Sequence, residues 1–260
     1  MFNNFLNANR LAFSKNQIPV KMSTVQDDEM ALSEHIEEFS QRLIFCLIFL
    51  FVAICICFVD IKEIVQIFQA PAIGVKFLQF APGEYFFASI KIAAFCGILF
   101  SSPIILYQIL LYLIPGLTKK ERDIVLPVSL GSGVLFLAGL VFSYFFLVPA
   151  ALRFFISYGS DVVEPFWSFD QYFDFMAVLL FATGLAFQVP AVQVVLGLLG
   201  IVTGQKMLSA WKYVIVVCTV VAAVITPSTD PITQILLATA LMSLYLGGSG
   251  FVIFLKKEVR

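Results

Sequence analysis

The sequence predicts an all-α, polytopic membrane protein with six transmembrane helices, and three observations carry that reading. First, 60% of the 260 residues are apolar and 13% charged, with 29 phenylalanines and a mean hydropathy of +0.97; such a composition belongs to chains that live in lipid. Second, the apolar residues gather into six runs, and a hydrocarbon core of ~30 Å needs about 20 helical residues to cross. Third, the basic residues are sorted between alternate connections. At these lengths only helices keep every backbone group bonded in lipid.

The runs cover residues 43–59, 88–114, 124–148, 173–199, 211–226 and 232–255. Twelve of the sixteen Lys and Arg residues fall in the tails and connections of one side, including Arg10, Arg42, Lys119, Lys120, Arg122, Lys206 and Lys256. The other side holds only Lys62, Lys76 and Arg153, with Lys91 just inside a span, positioned to snorkel outward. Positive charge is retained on the inner side. Both termini are therefore expected on the cytoplasmic or stromal side, which also requires an even number of spans.

In chain order, residues 1–29 form an N-terminal extension, basic at Arg10, Lys15 and Lys21 and faintly like a targeting segment. The membrane domain covers 30–255, and 256–260 is a short basic tail. Its first stretch, MALSEHIEEFSQR, sets Glu34, His35, Glu37, Glu38 and Arg42 directly against the first apolar run. That stretch is either a solvated collar or a docking surface. Glu38 and Arg42 stand at i and i+4 in the favourable order, which supports a helix on its own account.

The first outer connection, 60–87, carries Ile61, Ile64, Val65 and Phe68 at the spacing of a short amphipathic helix, ended by Pro71. Pro103 and Pro127 should bend spans two and three or mark their edges. The second outer connection, 149–172, is aromatic and acidic and reads as a cap on the outer face. Span five has only 12 purely apolar residues, Val214 to Ile225; at 1.5 Å per residue that is about 18 Å, well short of the core.

The chemistry is mostly subtractive. There is no phosphate-binding GxxxxGK[ST], no HExxH and no GxSxG. A single histidine builds neither a metal cluster nor a triad, so no catalytic residue, metal or cofactor is expected. The net charge of −1 gives no footprint for nucleic acid. The five cysteines, Cys46, Cys55, Cys57, Cys96 and Cys218, sit in apolar runs and read as packing thiols.

What remains is polar residues in costly places. The inner connection PGLTKKERD (115–123) is short and brings Lys119, Glu121 and Arg122 to the membrane surface on the side of Glu38. Two such carboxylates could each take a guanidinium in a bidentate pair; equally, the basic residues answer the positive-inside rule alone. Gln188 and Gln193 in span four, and Thr226 and Gln234 around the last hairpin, mark either helix–helix hydrogen bonds or a substrate path.

With those residues set out, the sequence resembles the TatC family, the multispanning subunit of the twin-arginine protein translocase. HIEEFSQR, SSPIILYQ, PGLTKKERD, FQVP and ITPSTDPITQ match the family's signatures in order from about Met30 to the end of span six. GVKFLQFAPGEYFF, VPAALRFFISYGSDVVE, WSFDQYF and TPSTDP resemble its chloroplast and cyanobacterial branch more than its enterobacterial one. The resemblance implies a receptor, not an enzyme, that binds twin-arginine signal peptides of folded proteins. Glu38 and Glu121 would recognise the paired arginines, with His35, Arg42, Lys119 and Arg122 around them. Gln234 would meet small single-span subunits of the TatA and TatB type, with Gln188 and Thr226 as further intramembrane polar positions. It also implies a lipid-embedded homo-oligomer within a larger complex, export driven by the proton-motive force, and a thylakoid or cyanobacterial plasma membrane.

The sequence departs from the family at Ser40, where many members have Arg, and at Gln188, where bacterial members commonly have Glu. A small-solute or ion transporter is the rival reading. It would show inverted repeats and a charged midplane pocket, and neither is legible in the sequence.

Overall fold

The computed structural model describes residues 32–72, 75–112, 119–159, 166–226 and 230–258; at 32–35, 110–111, 119–126 and 256–258 it describes backbone only. Among these residues, five helical stretches are long and apolar enough to cross a membrane: Ile36–Val59, Glu84–Ile109, Pro127–Tyr158, Phe169–Leu198 and Pro231–Leu255. A shorter apolar helix, Trp211–Ile225, stands where span five was expected. Residues from Arg42 onward form one compact unit.

Helix α1 runs Leu32–Val59. Within its first turns Gln41 donates to Glu37 at 3.5 Å. Of its described side chains only Ala53 and Cys57 are buried, while Phe51 is 68% and Val59 82% exposed. Water would not tolerate so much bare apolar surface; lipid does. The approach to the next span is close at one point, where Gly97 meets Ile54.

The expected amphipathic helix is present as α2, Ile61–Gln69, burying Val65 and Phe68 and ending just before Pro71. Two tyrosines hold its C-terminal end. Tyr144 donates to the Ile67 carbonyl at 2.8 Å and Tyr172 to the Phe68 carbonyl at 2.7 Å, satisfying acceptors that a helix end leaves open. Beneath it Phe68, Phe95 and Phe173 meet edge to face, with centroids 5.3 to 6.1 Å apart.

The fold is not purely α-helical. Strand β1, Lys76–Leu78, pairs in parallel with β2, Phe166–Ser168, in the register Lys76↔Phe166 to Leu78↔Ser168. Two stretches read as connections supply these strands, because an extended segment from each satisfies its backbone on the other. Glu84, first residue of α3 (Glu84–Tyr112), fastens the pair. Its carboxylate accepts from the Phe80 and Ala81 amides, at 2.6 and 3.1 Å, and from the Ser168 hydroxyl at 2.6 Å.

The third span corrects the expected boundary at 148. Helix α4, Lys119–Phe142, passes through one π-helical turn, Ser143–Leu147, into α5, Val148–Gly159. Much of the supposed connection 149–172 is thus helix. Pro149 supplies the reason: it has no N–H for the carbonyl four residues earlier, and the wider π turn relieves the clash. Pro103 and Pro127 lie inside continuous α3 and α4 and break neither.

Span four is broken instead. Helix α6, Phe169–Ala186, stops, Phe187 and Gln188 form a turn, and α7 runs Val189–Leu198 with Pro190 in its first turn. Pro190 cannot bond to Ala186, so the Gln188 amide tightens onto Leu185 at 3.0 Å and the helix restarts. A short α8, Gly204–Ser209, leads into α9, Trp211–Ile225, and α10, Pro231–Glu258, completes the chain. Some hydroxyls inside the spans bond to their own helices, as Thr183 does to Leu179 at 2.7 Å and Thr239 to Ile235 at 2.8 Å, which satisfies their donors away from water.

Candidate functional site

At the start of the chain, α1 carries Glu38, partly exposed, and Arg42. The Arg42 guanidinium donates to Gln108 of α3 at 3.0 Å. Gln108 was legible only as the end of SSPIILYQ; its pairing needed the packing of α1 on α3. Glu121, Lys119 and Arg122 lie in the first turn of α4, a position that suits a carboxylate against the helix dipole. Their side chains, and that of His35, lie outside the described residues, as do residues 113–118 of the short connection.

The polar residues within the spans divide into clamps and groove walls. Gln188, 9% exposed, donates through Nε2 to the Ser132 carbonyl of α4 at 3.0 Å. Gln193 donates to the Ser249 hydroxyl at 2.9 Å and the Tyr245 carbonyl at 3.2 Å, both on α10. The short rod α7 is thereby pinned on two sides by glutamine amides. Thr226 is buried at the end of α9 and bonds to its own Ala222 carbonyl at 2.8 Å. It faces inward.

Gln234 behaves differently. It stands in the first turn of α10, reaching the Thr219 carbonyl of α9 at 3.4 Å, on the edge of a groove of about 620 Å³. Cys218, Thr219, Ala238, Met242 and Ser243 line the rest of it. Asp230, fully buried, caps α10 by accepting from the Ile232 and Thr233 amides at 3.0 and 3.2 Å. Adjoining the first groove along α10, and sharing Ile235, Thr239 and Ser243 with it, a second apolar groove of about 700 Å³ lies between that helix and Phe142 and Phe187.

One charged cluster was not anticipated. Lys91, expected to snorkel outward, bridges Asp170 at 2.8 Å and Asp174 at 3.1 Å, tying α3 to α6. The two acids are four apart on one helix, so a single ammonium reaches both. The signal was available in the spacing DxxxD, but not the partner.

A family profile described as Sec-independent protein translocase protein (TatC) matches residues 34–239. The Sec-independent protein translocase protein TatC of Synechocystis sp. is 53% identical over 240 residues, 92% of this chain and 94% of its own. The chloroplastic Sec-independent protein translocase protein of Pisum sativum is 52% identical over 236 residues, 90% of this chain and 67% of its own. The crystal structure of a twin arginine translocase receptor, TatC, aligns with a TM-score of 0.71 at 35% identity, covering 85% of this chain and 99% of that one. The motifs, the helical membrane fold and these relatives agree: the chain belongs to the TatC family of Sec-independent protein translocases, a multi-pass membrane component of protein transport and not an enzyme.

Proposed function

We propose that this protein is the receptor subunit of a twin-arginine translocase, in a thylakoid or cyanobacterial plasma membrane. It would lie in the membrane as six spans, α9 being the short one, with both termini on the stromal or cytoplasmic side. Glu38 and Glu121 recognise the two arginines of a signal peptide, each carboxylate taking one guanidinium, a charge-assisted contact whose geometry favours Arg over Lys. His35, Arg42, Lys119 and Arg122 surround and orient them. The observation that carries this reading is the ordered set of motifs from HIEEFSQR to ITPSTDPITQ, within a chain matched by the TatC profile over 34–239.

The single-span translocase subunits, of TatA and TatB type, assemble along the groove between α9 and α10, with Gln234 as the polar contact. Two facts support that seat. Helix α9 has 15 residues, about 22 Å at 1.5 Å each, so the bilayer thins or a neighbour covers it; and Gln234, unlike Gln188, is held by only a long bond. Lipid covers the remaining apolar faces, copies of the chain associate within the complex, and the proton-motive force drives transport through the assembly.

The test is charge reversal. Glu38→Lys with Glu121→Lys should reduce cross-linking of a twin-arginine precursor peptide at least tenfold, about 1.4 kcal/mol. A lysine-pair peptide should bind wild type poorly to begin with. Undiminished cross-linking by the double variant sinks the arginine assignment.

A further inference from the structure

We infer that Gln188 is a positioning residue: its amide, a donor at every pH, locks the break between α6 and α7 onto α4. The break is forced by Pro190, which leaves Phe187 and Gln188 outside both helices. A two-residue turn inside a span is tolerated only where protein covers it. Here α4 does so at close range. A Cβ on Gly139 would stand 2.9 Å from the Phe187 ring, and one on Gly184 would stand 2.8 Å from Phe136. Glycines bring the two elements together, and one side-chain hydrogen bond fixes them: Gln188 Nε2 to the Ser132 carbonyl, 3.0 Å, buried. The turn also sets the Phe187 ring 5.4 Å from Phe142, and both rings line the groove beside α10.

The chemistry of the lock is one-sided. Ser132 offers a carbonyl, which only accepts, so residue 188 must donate. A glutamate has the same shape but donates only when protonated. Nothing nearby would hold its charge: residues 127–142 of α4, 175–198 of α6 and α7, 97–106 of α3 and 231–255 of α10 contain no Asp, Glu, Lys, Arg or His. Tyr245 on α10 is engaged with the Met207 carbonyl and Tyr144 with Ile67. Asp170 and Asp174, at the far end of α6, are engaged with Lys91. A carboxyl at 188 would therefore sit alone in a low-dielectric site that favours its neutral form.

The experiment is thermal unfolding of the full chain in lipid nanodiscs from pH 5 to 9. Wild type should give a midpoint independent of the state of residue 188. Gln188→Leu and Gln188→Asn, which cannot make the bond, should fall by about 2–4 °C at every pH, the shift that losing one buried hydrogen bond gives a chain this size. Gln188→Glu should match wild type at the acid end and fall below Gln188→Leu at the alkaline end. Ser132→Ala keeps the carbonyl and should change nothing. A Gln188→Glu profile parallel to that of Gln188→Leu overturns the inference. So does a Ser132→Ala loss equal to that of Gln188→Leu, which decides the matter even where Gln188→Glu fails to fold.

Discussion

At the scale of single residues, the least forgiving positions are glycines at helix crossings. Gly97 is one of them: a Cβ there would run into Ile54 Cγ1 and lie 3.0 Å from the Ile54 amide nitrogen. The side chain could move aside, but the backbone of α1 could not. Gly97→Ala should therefore lower stability by about 1–3 kcal/mol, the range for overpacking a tight contact. Gly131, also within a helix, has nothing within 4 Å of such a Cβ. Gly131→Ala should instead raise stability by about 0.5–1 kcal/mol through helix propensity. Unfolding midpoints of the two variants, opposite in sign, check the packing of α1 on α3. Neither role was visible in the sequence, where both glycines sit in apolar runs and nothing local separates them. The charged and amide residues were easier to single out because their cost in lipid is intrinsic. Their partners, Gln108 for Arg42 and Asp170 with Asp174 for Lys91, come from other helices and needed the fold.

At the scale of elements, hydrophobic length and periodicity made most of the architecture legible. The spacing of Ile61, Ile64, Val65 and Phe68 gave α2, and the short apolar run gave a short α9. What local pattern could not rank was the prolines. Pro103 and Pro127 stay inside helices, whereas Pro149 and Pro190 follow a π turn and a break. The β1–β2 pair escaped too, since three-residue strands joined across a large separation have no local signature. The attachment of α2 is a tertiary feature with a direct test. Its last turn hangs on the Tyr172 and Tyr144 hydroxyls. Tyr172→Phe removes a buried hydrogen bond of about 1 kcal/mol, so amides at the end of α2 should exchange with solvent roughly fivefold faster. Tyr144 is more exposed, and Tyr144→Phe should do less; the double variant should exceed either. Unchanged exchange in Tyr172→Phe would mean that the aromatic packing of Phe68 alone holds the helix.

At the scale of the whole molecule, the proposed recognition acids and the α9–α10 groove are separate pieces of machinery, and their separation can be tested. Glu38 and Glu121 belong to segments rich in charge at the ends of α1 and α4, where guanidinium recognition is electrostatic. The groove beside Gln234 is walled by Cys218, Ala238 and Met242 with small hydroxyl residues, where association depends on close packing. A bulky side chain should therefore damage only the second. Thr219 is exposed on α9, lines the groove, and engages Gln234 through its backbone carbonyl, which substitution leaves in place. Thr219→Trp fills the space without disturbing the core. Retention of single-span subunits by this variant should fall at least tenfold, about 1.4 kcal/mol, while cross-linking of a twin-arginine precursor stays within about twofold of wild type. Glu38→Lys with Glu121→Lys should give the reverse pattern, because a charge change at the start of a helix leaves van der Waals packing between other helices untouched. Loss of both activities in both variants would mean that recognition and assembly are a single cooperative event in this chain, and that the groove and the acids cannot be assigned separate partners.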